Sequence, residues 1–338
     1  LKKEQDKKGT RTLGEVIGQF EGKKICVVGD IIADIYIFGK PYRLSREAPV
    51  VIVKFEESKI YPGSAGNTIN NLLALGAHVY PLGFIGNDNA GKKLMQYFSQ
   101  HKNIDIGGLI MHDGETVTKT RILAGDTHTS KQQVIRIDKD SNRPLSRPEK
   151  TMLMKKLKAI APLADAFIVS DYGHGTISKE VIGFMRGLAK RKIVVGDSRY
   201  GLAAFNGFTI VTPNESEAYR LSGLGEDHNI NVVGKTIMGT MKLKALLITR
   251  GNKGMRLFVG DRKIYDIPIS GTDDVTDVTG AGDTVCSTIA LSLAGGADFY
   301  TASRIANYAA GVVVMKRGTA TVTVQELEKA IGNQGKLQ

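Results

Sequence analysis

The chain predicts a three-layer α/β/α fold with a mostly parallel sheet, plus a small β-sheet set outside that core as a lid. Three observations lead there. From residue 146 onward, short apolar strands alternate with helices of roughly 10–15 residues, the succession that lays a parallel sheet between two helical layers. Two earlier segments, about 35–60 and 106–138, alternate apolar and polar residues as half-exposed strands do. The length of 338 residues, 42% hydrophobic and 24% charged, suits one large soluble domain. The two β segments can pair with each other and cover the strand carboxyl ends, where open α/β sheets bind ligands.

Taken in order, residues 1–22 read as a charged tail with a short helix, and 23–332 as the folded domain. Residues 24–30 (KICVVGD) form a short buried strand ending in Gly-Asp. Half-exposed strands follow at 35–38 and 50–55, then a helix at 65–75, a strand at 78–85 and a helix at 92–99. In the second β segment, 116–123 and 134–138 both alternate. Strands are then expected at 166–170, 193–196, 208–211 and 245–249. Helices are expected at 148–160, 179–190, 231–241, 282–294 and 300–315. No internal repeat or low-complexity linker divides the chain.

Composition narrows the function. No apolar run approaches the roughly 18 residues of a membrane span, and the first residues, LKKEQDKKGTR, lack an apolar leader, so a cytoplasmic protein is expected. The two cysteines, Cys26 and Cys286, sit in apolar segments and read as reduced core residues; the count excludes a disulfide framework and the spacing a zinc site. The net charge is +12, but the excess is scattered in singles and pairs such as Lys23-Lys24 and Lys92-Lys93. No nucleic-acid-binding motif accompanies it, so phosphorylated small molecules fit better than nucleic acid.

Four stretches carry chemistry. The most telling is 277–284, DVTGAGDT, directly before an apolar helical run. Gly280, Ala281 and Gly282 can offer N–H groups to a phosphate at a helix N-terminus, and Asp283 can take a proton from an attacking hydroxyl. A plain helix cap built of Gly and Asp is the structural alternative. The second, TPNESE at 212–217, places Asn214 and Glu217 at capping-box spacing. The same two residues could orient water around Mg²⁺, an ion that needs few protein carboxylates. The third, TRGNKG at 249–254, offers Thr249, Arg250, Gly251 and Gly254 to a nucleotide, or is simply a hairpin turn. In the fourth, Gly29-Asp30 with Asp34, then GSAGN at 63–67, short polar side chains beside glycines suit a ligand with many hydroxyls; Asp34, Gly63 and Asn67 are its candidates.

Taken together and in this order, these elements resemble the ribokinase (PfkB) family of carbohydrate kinases over about 23–332. The resemblance implies a ribokinase-like fold with a β lid, ATP and Mg²⁺ as cofactors, and Asp283 as general base. It adds a K⁺-type monovalent cation beside Asp277 and Thr279, and a homodimer formed through the lid. A narrower resemblance lies in the β segments: RLSREAP at 43–49, TKTR at 118–121, Gln132-Gln133 with Arg136-Ile137-Asp138, and SDYG at 170–173. These are similar to the branch that phosphorylates O1 of D-glycero-β-D-manno-heptose 7-phosphate. Within that resemblance Arg43, Lys119, Arg121 and Arg136 would hold the sugar's own phosphate, or would be solvated strand faces. Arg46, His174 and the run Asp197-Ser198-Arg199 depart from the branch, which usually has Pro, Lys and Asp-Pro-Lys there. Since the sequence stops at 338, kinase activity without a fused nucleotidyltransferase is expected. Another PfkB acceptor, or a non-catalytic family member, are the other readings the motifs leave open.

Overall fold

A computed structural model describes residues 11–125, 131–141, 143–270 and 276–334. A short helix, α1 (Leu13–Ile17), begins at a capping box in which Thr12 and Glu15 satisfy each other's backbone N–H groups. Strand β1 (Lys24–Gly29) then leads straight into a long ribbon of β2 (Ile31–Leu44) and β3 (Val51–Ser64). Next come α2 (Ala65–Ala74), β4 (His78–Gly86), α3 (Asn89–Ser99), β5 (Leu109–His112), β6 (Thr118–Ala124) and β7 (Gln132–Lys139). The regular half follows: α4 (Arg147–Ile160), β8 (Ala166–Asp171), α5 (Lys179–Leu188), β9 (Ile193–Ser198), β10 (Ile210–Val211), α6 (Glu215–Ser222) and α7 (Ile230–Met241). It ends with β11 (Ala245–Thr249), β12 (Met255–Val259), β13 (Lys263–Ile267), α8 (Ala281–Ala294), α9 (Phe299–Val313) and α10 (Val324–Gln334).

Among the described residues nine strands form the large sheet, in the order β13-β12-β11-β10-β9-β8-β1-β4-β5. From β11 to β5 every pairing is parallel; only β12 and β13 turn back antiparallel. Because side chains alternate across a strand, each central strand feeds two cores. On β1, Ile25 and Val27 join one apolar cluster while Cys26 and Val28 join the other. On β11, Ala245 and Leu247 face the first, Leu246 and Ile248 the second. The first cluster packs against α2, α8 and α9 and the second against α4, α5 and α7, which gives the three layers. Cys26 and Cys286 are free and buried.

The second sheet has the order β3-β2-β6-β7. It springs from the carboxyl end of β1 through Asp30, so its base is anchored at the edge where parallel strands present ligand sites. The strands of its ribbon run well past the expected 35–38 and 50–55, because both faces of the ribbon's far end are exposed and no apolar alternation marks their extent. The expected lid boundary at 106 is also corrected. Residues 109–112 pair in parallel with β4, Gly83 opposite Leu109, and bury Leu109 and Ile110 in the large sheet. No helix among the described residues is long and apolar enough to cross a membrane.

Helix α7 packs on β12 through a glycine. A Cβ at Gly234 would overlap the Phe258 ring, whereas Gly239 on the same helix has open space around it. Gly234→Ala is therefore expected to destabilise the fold by about 1–3 kcal/mol through overpacking. Gly239→Ala should stabilise it by up to about 1 kcal/mol through helix propensity. Urea unfolding midpoints of the two variants must move in opposite directions, and a shift in the same direction would contradict this packing.

Candidate active site

A cavity of about 860 Å³ lies at the carboxyl edge of the large sheet, under the small one. Strand β2 contributes Asp34, β6 contributes Lys119 and Arg121, and β9 contributes Asp197. The segments after β10 and β11 add Asn214, Glu217, Gly251 and Gly254, and the start of α8 adds Gly280, Ala281, Gly282 and Asp283.

Asp283 lies in the first turn of α8 and is 5% exposed. Its Oδ2 accepts from Asn67 Nδ2 at 2.7 Å, and its Oδ1 accepts from Tyr172 OH at 3.0 Å and Thr68 Oγ1 at 3.3 Å. Burial disfavours its charge more than these donors favour it, and its carboxyl is pushed up to about 6. Gly280 makes the approach feasible. It sits at φ 81°, and a Cβ there would come within 2.5 Å of Asn67 Nδ2. Of the loop's amides, Ala281 N–H donates back to Val278 O at 3.2 Å. The N–H groups of Gly282 and Asp283 have no acceptor among the described residues, as befits a helix start. A second bond between the helices, Thr284 Oγ1 to Asn71 Oδ1 at 2.9 Å, locks α2 to α8.

The other expected residues divide. Asp34 is buried at the cavity wall and paired with Arg121 Nη1 at 2.6 Å. Gly63 has no direct opening to the cavity; it is the space into which the Asp34 carboxylate fits, since a Cβ there would overlap it. Asn67 does not line the cavity either and is spent on Asp283, so it orients a carboxylate in place of a sugar hydroxyl. Thr249, Gly251 and Gly254 border the cavity as the turn of the β11–β12 hairpin. Arg250 does not: its guanidinium reaches the Glu215 carboxylate at 3.3 Å, close enough to satisfy it there. Arg43 is also misassigned. It lies on the exposed far end of the β2 ribbon, about 30 Å along the strand from Asp34 at 3.3 Å per residue. Arg136 is exposed, bound to Asp138 at 2.8 and 3.0 Å, and faces a neighbouring cavity. Asp30 serves structure, its carboxylate accepting from the N–H groups of Tyr172, His174 and Thr176.

Asn214 and Glu217 do form the capping box, at 2.8 and 2.9 Å, and still line the cavity. Glu217 uses one carboxylate oxygen for the cap. On the same wall Thr212 Oγ1 is buried without a hydrogen-bond partner, and Asp197 has no ion-pair partner among the described residues. No cluster of three His, Cys, Asp or Glu residues that could cage a metal occurs among the described residues. That donor set fits Mg²⁺, which keeps waters and phosphate oxygens in its shell and takes few protein ligands. At Asp277 burial works against the charge, but hydrogen bonds from Thr279 N–H and Gly318 N–H and the nearby Arg121 hold the carboxyl below its usual range. An ionised Asp277 beside Thr279 suits a monovalent cation.

Sequence reasoning passed over Tyr172, Asp197, Ser64 and Arg199, all of which line the cavity. Ser64 was visible as the second residue of GSAGN, but its strained backbone, φ 55° at the junction of β3 and α2, was not. Tyr172 stands in the SDYG stretch, and nothing local announces that its hydroxyl reaches Asp283, more than a hundred residues on. Removing it in Tyr172→Phe deletes a donor to the carboxylate, so the Asp283 pKa should rise from about 6 by roughly one unit. A pH titration of the labelled Asp carboxyl carbons by NMR reads this directly; an unmoved or lowered midpoint would refute the assignment.

Residues 22–326 match the model of the pfkB family of carbohydrate kinases. The chain is 39% identical over 317 residues to the bifunctional protein HldE of Geobacter sulfurreducens, covering 91% of this chain and 63% of that protein. It is 38% identical to the same-named protein of Trichlorobacter lovleyi, covering 91% and 62%. The chain thus spans less than two thirds of the length of these curated relatives. In fold it is similar to Arabidopsis thaliana ribokinase complexed with ribose and ATP, with a TM-score of 0.70 at 19% identity over 92% of this chain and 99% of that one. It is also similar to phosphofructokinase-2 of Escherichia coli in complex with potassium, with a TM-score of 0.78 at 14% identity over 93% and 99%. The chain belongs to the pfkB family of carbohydrate kinases and has a ribokinase-like fold.

Proposed function

We propose that this kinase transfers the γ-phosphoryl of ATP to the anomeric O1 of D-glycero-β-D-manno-heptose 7-phosphate, giving the 1,7-bisphosphate used in making ADP-heptose for lipopolysaccharide core. The observation that carries the chemistry is Asp283: a buried carboxylate held by three donors at a helix N-terminus, with a carboxyl pushed up to about 6. The heptose acceptor is supported by the likeness to proteins named HldE over 91% of the chain.

In this reading Asp283 takes the proton of O1 as O1 attacks the γ-phosphorus, and the bond to the β-phosphate oxygen breaks to leave ADP. The free N–H groups of Gly282 and Asp283, with the α8 dipole, meet the negative charge that develops on the transferring group. Asp34, freed from or shared with Arg121, accepts from the sugar hydroxyls. Asn214 and Glu217 would hold Mg²⁺ through water, and its charge would offset that of the nucleotide phosphates; the Thr249 to Gly254 turn borders the nucleotide. Asp277 and Thr279 would hold a K⁺-type ion, whose charge would help offset that of the phosphates. The small sheet acts as a lid, closing over the sugar and excluding water.

The base must be ionised to act, so kcat/KM should rise with pH through about 6 and then level off. The test is an acceptor panel with ATP: heptose 7-phosphate, fructose 6-phosphate, ribose and a nucleoside. Heptose 7-phosphate should have the highest kcat/KM, with phosphorus NMR showing phosphate at O1. Asp283→Asn should lower kcat by roughly 10²–10⁴-fold. Preference for another acceptor removes the heptose reading, and near-normal turnover of the variant removes the base.

A second copy of the chain covers the small sheet in this proposal. That sheet leaves Phe55 67% exposed, and Val134, Ile135 and Ile137 each half exposed, more apolar surface than a lone lid needs. Sedimentation should find a dimer that becomes monomeric when Phe55 and Ile137 are both changed to Glu; a monomeric wild type at micromolar concentration overturns it.

A further inference from the structure

Beside the main cavity lies a second one of about 710 Å³, between the small sheet and the loops after β8 and β9. The two share four lining residues, Lys119, Arg121, Tyr172 and Arg199, so one ligand can reach from Asp283 into the second space. Tyr172 measures the gap: its hydroxyl touches Asp283 at 3.0 Å, and Lys119 Nζ stands 5.5 Å over the centre of its ring.

The cations of this second cavity fall into two groups. Arg121, Arg136 and Arg143 are neutralised by Asp34, Asp138 and Glu149. Lys119, Lys150 and Arg199 have no carboxylate within ion-pair distance among the described residues. Burial, reinforced by the nearby Arg199 guanidinium and outweighing Asp34, depresses the Lys119 ammonium. Arg199 is also held in place from its backbone. Its N–H donates to Asp171 O at 3.1 Å and its carbonyl accepts from Arg220 Nη2 at 2.9 Å. Ser198 next to it donates to Asp171 Oδ2 at 2.8 Å and accepts from Gly201 N–H at 2.7 Å, bracing the loop. Unpaired cations brought together by a braced loop are a cost to the empty protein that an anion relieves.

We infer that Arg199 and Lys150, with Lys119 at the junction, form a subsite for a phosphate already carried by the acceptor sugar, at the end remote from the hydroxyl being phosphorylated. This rests on the sugar-phosphate reading above; of the four residues expected to hold that phosphate it keeps Lys119 and replaces Arg43, Arg121 and Arg136 with Arg199 and Lys150. Two of the departures noted in the sequence, His174 and Arg199, line this cavity, which places the chain's distinctive residues where the acceptor's anionic end would lie. His174 Nδ1 is 3.5 Å from Asp140, so it supports the wall and is not counted among the free cations.

The experiment compares kcat and KM for heptose 7-phosphate and for the same heptose without its phosphate, in wild type, Arg199→Gln, Lys150→Gln and Arg199→Lys. The ratio of kcat/KM for the phosphorylated over the free sugar should fall roughly 10- to 100-fold in Arg199→Gln, mainly through KM, and less in Lys150→Gln. Arg199→Lys should restore most of it. Inorganic phosphate should compete with the acceptor in the wild type and compete more weakly in Arg199→Gln. A wild type that favours the phosphorylated sugar, with a ratio unmoved by both Gln variants, overturns the subsite and leaves the heptose reading standing. A wild type that prefers a different sugar phosphate, whose ratio drops in the variants, removes the heptose reading and keeps the subsite. Equal use of phosphorylated and free sugars by the wild type removes both.

Discussion

The burial of the Asp283 carboxylate at the seam between α2 and α8 is the constraint on which the rest of the site depends. Moving its carboxyl from 3.8 to about 6 costs the folded chain about 3 kcal/mol at neutral pH, on the order of 1.4 kcal/mol per unit. The sign follows from linkage. The folded pKa lies above the unfolded one, so the penalty is absent below about pH 4, grows between 4 and 6, and is complete above 6. A structure keeps such a group only where its surroundings hold it firmly, and here Asn67, Thr68 and Tyr172 do so from two different segments. Gly280 belongs to the same constraint, because a side chain there would push Asn67 off the carboxylate.

The small sheet is arranged around a related economy of charge. Asp34, buried, and Arg121, partly buried, neutralise each other across neighbouring strands, and Gly63 leaves room for that carboxylate. Breaking a pair of this kind without replacement is costly, so a ligand entering here has to offer hydroxyls or charge in return. Asp30 acts one layer deeper. By accepting three backbone N–H groups from 172–176 it ties the loop that bears Tyr172 to the root of the small sheet. The Asp283 seam and the small sheet are thereby joined through one buried aspartate.

Much of this was legible in one dimension. Apolar runs separated by helical periods announced β1, β8, β9 and β11, because strands buried on both faces must be apolar throughout. The capping box at Asn214 and Glu217 and the glycine-rich start of α8 are local chemistry, read from neighbours three or four residues away. Ribbon lengths were not legible, since β2 and β3 run into solvent where nothing patterns them. Nor was the split among the basic residues. Arg43, Arg136 and Arg250 look the same in sequence as Lys119 and Arg199, and only their distance from a carboxylate or a cavity tells them apart.

By itself, then, the sequence determined the layer order and the helix caps and singled out Asp283 as a candidate, because these follow from periodicity and short-range spacing. Tertiary structure decided which groups surround that residue. Tyr172 and Asn67 reach it across more than one hundred and more than two hundred residues, and Asn67 changes from an expected sugar contact to an orienting donor as a result. It also decided which cations are free, since an ion pair forms through space and leaves no trace in the spacing of the chain.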